Sequence, residues 1–187
     1  MTIYAIRNAR DPYYAQFSID VMDLVHIAPD DIGLDGVAEF SYRNTAMQSW
    51  WHLPKGDTIK GDAGLPDITV WVDSALILSP KASRLLADSL APFGELLPVH
   101  IENQEYTLFN CLTFAEEDKA KTEFEYDGDI PLWLKSLDFA PAASEKLIFK
   151  SKMQKALTPF CNERFKEIIE SFELKGLWFD EKLMETY

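Results

Sequence analysis

Apolar and polar positions change their spacing several times along the chain, and each change predicts an element. Ile3 to Ile6 and Phe17 to Val25 are apolar runs separated by the turn signal Asp11-Pro12, and both read as strands. Residues 54–67 then break the pattern. Pro54, Gly56, Gly61, Gly64 and Pro66 alternate with Asp57, Asp62 and Asp67, which predicts a loop and the best candidate for a mobile segment. Ile68-Thr69-Val70-Trp71-Val72 is β-branched and reads as a strand, as does Ala75 to Leu78. Ser79-Pro80 follows with the chemistry of a helix start, a hydroxyl to cap the first free N–H groups and a proline at the first helical position. Ala82, Leu85, Leu86 and Leu90 recur at helical spacing until Pro92 and Gly94 stop them.

Beyond that helix the spacing returns to two. Leu96 to Ile101 and Tyr106 to Leu112 predict a hairpin around Glu102-Asn103-Gln104. Thr122 to Asp127 alternates strictly, with Glu123, Glu125 and Asp127 on one face, Phe124 and Tyr126 on the other, and a turn at Asp127-Gly128. Pro131 to Leu137 reads as a short helix and Leu147 to Phe149 as a strand. Asn162 to Phe172 is an amphipathic helix whose buried stripe is Phe165, Ile168, Ile169 and Phe172, with Gly176 as its C-terminal glycine and Leu177 to Phe179 closing the fold. These elements make an α+β fold, a mainly antiparallel sheet packed with a few helices. A length of 187 residues suits a single compact domain over 1–187, with an N-terminal subregion 1–53 ahead of the 54–67 loop.

Composition narrows the function. The chain is 47% apolar and carries 12 Phe, 7 Tyr and 5 Trp, enough for a substantial core. Its formal charge is −13, which opposes phosphate neutralisation and attraction to anionic lipid, so nucleic acid and membrane are not expected partners. No apolar run reaches transmembrane length and the first residues lack a signal-peptide core, so a cytoplasmic location is expected. The 2 cysteines, Cys111 and Cys161, lack metal-ligand spacing and are expected as reduced thiols. The charge is uneven. Residues 102–129 hold 9 acidic and 2 basic side chains, while 81–101 and 130–187 are balanced.

A search for chemistry returns little. The sequence Gly-x-Ser-x-Gly does not occur, and His26, His52 and His100 are too scattered to read as a local zinc pair. Gly56 and Gly61 have the spacing of a phosphate loop, but Asp62-Ala63 stands where Lys and Ser or Thr are needed. Catalytic residues, cofactors and a resident metal are therefore not expected, and the chain is read as a non-enzyme. The enzyme alternative is a metal-dependent transferase built on the Asp127-Gly128-Asp129 triplet. Glu116, Glu117, Asp118, Glu123, Glu125, Asp127 and Asp129 are either a solvated charged hairpin or a docking surface for a basic partner. Trp50-Trp51 offers a second candidate, since adjacent strand residues face opposite ways and an exposed Trp is a common interface anchor. Core packing of both is the plainer reading.

Four ordered stretches carry a resemblance. They are Ala75-Leu76-Ile77-Leu78-Ser79-Pro80-Lys81-Ala82 opening a helix; Glu95-Leu96-Leu97-Pro98-Val99 with Tyr106-x-Leu108-x-Asn110; Leu147-Ile148-Phe149-Lys150; and Leu174-Lys175-Gly176-Leu177-Trp178-Phe179. From Leu65 to Phe179 the chain resembles immunity family eleven of bacterial polymorphic toxin systems, formerly a domain of unknown function. The resemblance implies a cytoplasmic protein that binds and neutralises a cognate toxin domain, with no catalytic residues and no defined binding residues. Residues 113–146, acidic in their first half, have no counterpart in it. A generic cytosolic interaction module would share the same sequence features.

Overall fold

The structure is a computed structural model that describes residues 2–184. Its strands are β1 (Ile3–Asn8), β2 (Gln16–Ile19), β3 (Lys55–Ile59), β4 (Ile68–Val70), β5 (Leu76–Leu78), β6 (Gly94–Ile101), β7 (Gln104–Cys111), β8 (Glu123–Asp127), β9 (Ile130–Ser136), β10 (Ile148–Phe149), β11 (Phe160–Asn162) and β12 (Leu177–Asp180). The helices are α1 (Val21–Ile27), α2 (Gly33–Ala38), α3 (Phe40–Arg43), α4 (Pro80–Leu90) and α5 (Glu163–Ser171). A six-stranded sheet runs β2-β3-β6-β7-β5-β4, a four-stranded sheet β10-β11-β1-β12, and β8 with β9 forms a separate ribbon. Every pairing within these sheets is antiparallel except β3 with β6. The architecture is α+β, with antiparallel pairing predominant.

Side-chain alternation explains the layering. On β7, Tyr106 and Leu108 point to one face of the large sheet, where they meet Leu24 of α1, Val37 of α2 and Phe40 of α3. Phe109 and Cys111 point to the other, where they join Leu86 and Leu90 of α4, Phe165 and Ile169 of α5, and Tyr4 and Ile6 of β1. Ala5, between those two β1 residues, faces a third core with Phe139, Phe149 and Phe160. Three cores thus share two sheets. Ser79 caps α4 by accepting from the Ala82 N–H at 3.2 Å, with Pro80 at the first helical position. The β6–β7 hairpin holds its register from Gly94↔Cys111 to Ile101↔Gln104. Both thiols are free and fully buried, and burial pushes Cys111 up to about 11 and Cys161 well above its ordinary value.

A buried polar network fixes the N-terminal region to the sheet. Glu95 and Asn110 face each other across β6 and β7. The Glu95 carboxylate accepts from the Met47 N–H at 2.8 Å, the Gln48 N–H at 3.1 Å and Asn110 Nδ2 at 3.1 Å, and Asn110 also donates to the Thr45 carbonyl. These bonds tie the segment around Thr45 to Gln48 to the large sheet.

Several elements differ from expectation. The apolar run from Phe17 breaks at Asp20, whose carboxylate accepts from the Met22 N–H at 2.8 Å and starts α1, so Val21 to Val25 are helical. The 54–67 segment contains β3, which lies inside the large sheet between β2 and β6. Its Gly61 is required by close approach: a Cβ there would lie 2.3 Å from the Tyr14 backbone. Pro131 to Leu137 is mostly strand β9, because β8 supplies a ladder and Pro131 is tolerated in a ribbon whose strands are both edges. Phe172 lies outside the buried stripe at 40% exposure. The helix stops at Ser171, the chain turns through Glu173 at φ 50°, and Leu174 takes the core position. Gly176 does not cap α5. Its φ of 116° lets the backbone pass the Ile68 carbonyl, which a Cβ would meet at 2.1 Å.

Candidate interaction site

The β8–β9 hairpin is the part of the molecule where charge and exposed apolar surface coincide. Gly128, at φ 59°, makes the turn, and Asp127 pairs with Ile130 across it. The two strands pack chiefly against each other, with Leu134 reaching the third core beside Ile3. Polar bonds clamp the base. The Thr122 hydroxyl donates to the Asp138 carbonyl at 3.1 Å, the Ser136 hydroxyl donates to the Lys121 carbonyl at 3.0 Å, and the Asp118 N–H donates to the Asp138 carbonyl at 2.9 Å. Lys121 bridges Asp118 at 3.1 Å and Asp138 at 3.2 Å.

The acidic candidates separate into two groups. Glu117 is structural: it accepts from the Ser151 hydroxyl at 2.7 Å and the Met153 N–H at 3.0 Å. Burial raises its carboxyl, but these hydrogen bonds outweigh burial and hold it below the usual range. Asp118 is lowered by its bonds from Lys121 and from the Ala120 N–H, and so belongs to the clamp. Glu116 is exposed beside it, its carbonyl accepting from Ala140. Glu123, Glu125, Asp127 and Asp129 form the second group, exposed along the hairpin and at its tip. Asp127 and Asp129 flank the turn, and among the described residues no group of three or more His, Cys, Asp or Glu is placed to hold a metal ion.

Register decides what shares a face with these acids. Glu125 lies opposite Trp133 and Asp127 opposite Ile130, so all four side chains project the same way together with Glu123. Phe124, opposite Leu134, and Tyr126, opposite Pro131, form the reverse face. Bulges at Leu132 and Lys135 absorb the extra residues of β9. Trp133 is 60% exposed and Ile130 67%. The expected division of β8 into an acidic and an aromatic face therefore holds, but the acidic face also carries the most exposed tryptophan of the chain. That residue escapes a reading in which Pro131 to Leu137 is helical. The unbroken apolar run Ile130-Pro131-Leu132-Trp133-Leu134, directly after the Asp127-Gly128 turn, is the signal for a second hairpin strand.

The tryptophan pair lies elsewhere. Trp50 is buried in the core between the large sheet and α1 to α3, and Trp51 packs partly against that core while its indole N–H donates to the Pro98 carbonyl at 2.7 Å. The structure does not bring them to the acidic face. Among the described residues no helix is long and apolar enough to cross a membrane. The chain matches no family model and no curated protein.

Proposed function

We propose that this chain is an inhibitor that acts by binding: a cytoplasmic immunity protein that docks on a basic protein, its cognate toxin domain, through the acidic face of the β8–β9 hairpin. One observation carries the reading. Of the 9 acidic residues in 102–129, Glu123, Glu125, Asp127 and Asp129 are displayed on a two-stranded arm rather than spent inside the fold. Asp118 stiffens the base of that arm, and Glu123, Glu125 and Asp127 line it at two-residue intervals, about 7 Å apart. Fixed charges of one sign steer an oppositely charged partner and act mainly on association rate. The four ordered stretches that resemble immunity family eleven supply the toxin as partner and the cytoplasm as place.

Co-expression tests this. The chain is co-produced with each candidate toxin domain that carries a basic surface, and colony survival is counted. Parental chain is expected to protect, and the triple change Glu123→Lys, Glu125→Lys, Asp127→Lys to slow association at least tenfold and reduce protection, with folding retained because all three are exposed. Death of cells carrying parental chain, with no complex on gel filtration, overturns the reading.

A further inference from the structure

The acidic face of the hairpin carries apolar surface that the fold does not use. Trp133 and Ile130 belong to none of the three cores, and β8 and β9 pack chiefly against each other. Leu134, on the reverse face, packs the ribbon against the third core above its polar clamp. A two-stranded ribbon gains its order from cross-strand pairs and from its base, and a solvent-facing Trp in its middle adds little to the stability of the body. An exposed Trp and Ile ringed by carboxylates have the make-up of an interface anchor with a polar rim.

The charge selects the occupant. Between Glu123 and Ser136 stand four carboxylates and one lysine, and that lysine, Lys135, already lies 4.0 Å from Glu123. A second copy of the chain on this face would set like charges against each other, as would nucleic acid or anionic lipid. A basic protein surface remains. We propose that Trp133, with Ile130 beside it, is the anchor of the site: it inserts into an apolar socket on the partner, and Lys or Arg around that socket meet Glu123, Glu125 and Asp127. This deepens the inhibitor reading by placing the durable contact on the tryptophan and assigning encounter to the carboxylates.

The probe is a fluorescein-labelled amphipathic helical peptide with a leucine stripe bordered by lysines, titrated against the purified full chain. Trp133→Ala is expected to weaken binding tenfold or more at both low and high salt, since apolar burial is not screened. Trp178→Ala, at an exposed tryptophan on β12, is expected to leave binding unchanged. Glu123→Gln, Glu125→Gln and Asp127→Asn together should flatten the salt dependence. Circular dichroism should show all variants folded. Equal affinity of Trp133→Ala and parent overturns the proposal, as does absence of peptide binding by the parent. A dimer in sedimentation velocity that Trp133→Ala dissolves also overturns it, by giving the face to a second copy. The peptide assay reads the anchor without the toxin. Trp133-dependent binding with no protection of cells would sink the immunity reading alone, and protection that survives Trp133→Ala would sink the anchor alone.

Discussion

Lys150 is fully buried after β10, where its ammonium donates to the Ser41 carbonyl and lies 4.7 Å from the Phe114 ring centre. Burial is the main cause that brings it from the usual 10.5 down to about 8, against the pull of Cys111 and Asp73. Between pH 8 and 10.5 the unfolded chain therefore holds a proton that the folded chain has released. Stability contributed at this site rises with pH across that window. The buried thiols act in the opposite sense, because the fold keeps their protons above pH 9 while the unfolded chain loses them. Lys150→Met separates the two. The stability of parent minus variant, from urea melts at a series of pH values, should climb between pH 8 and 10.5 by on the order of 3 kcal/mol at most. A difference that stays flat across the window would show the amine to be solvated in the fold. Lys150 and Glu95 are each occupied in holding the helices α1 to α3 and the segment after them to the sheets.

At the level of elements, legibility followed how local the deciding interaction was. Helix α4 was readable because Ser79 and Pro80 supply its start from within the same segment, and the β6–β7 hairpin because both strands alternate around a tight turn. Strand β3 was not, since its place depends on β2 and β6, which flank it in space but not in sequence. The end of α5 was missed for a related reason. Its terminal hydrogen bonds run from the Leu174 N–H to the Ile169 carbonyl and from the Glu173 N–H to the Glu170 carbonyl, both 3.0 Å. That motif usually holds glycine at the left-handed position, and here Glu173 stands there at φ 50°. The carboxylate also sits at the negative end of the helix dipole. Glu173→Gly relieves both, against the larger entropy that glycine loses on folding. The net expectation is a gain of about 0.5–1 kcal/mol, or a melting temperature higher by roughly 2 °C in a chain of this size. A lower melting temperature would mean that Glu173 makes a favourable contact outweighing its backbone strain.

Across the whole molecule, the body and the hairpin are organised by different forces. The body joins three cores through two sheets, so that β1 contributes Tyr4 and Ile6 to one core and Ala5 to another. The hairpin holds mainly to itself, and its acids are exposed. Its carboxylates were legible from charge counting alone, because a local excess of one sign survives any fold. Trp133 was not, because its placement on the acidic face follows from a strand register that charge does not encode. The division predicts that the arm can be removed. Glu123 and Ser136 are cross-strand partners at the base, joined by the Glu123 N–H donating to the Ser136 hydroxyl at 3.1 Å. Replacing residues 124–135 with Asn-Gly, a pair suited to a two-residue hairpin turn, keeps the clamp made by Thr122, Lys121 and Asp138. The main apolar loss is the Leu134 contact, so unfolding in urea should stay a single cooperative transition with stability reduced by about 1–2 kcal/mol. Binding of the lysine-bordered peptide should disappear in the same protein. Amide exchange in the parent gives an independent measure, since β8 and β9 should open well before β7, which is paired on both sides by β6 and β5. Loss of cooperative folding on excision would show that the hairpin is part of the core structure, and its exposed face would then need an explanation within the fold instead of in a partner.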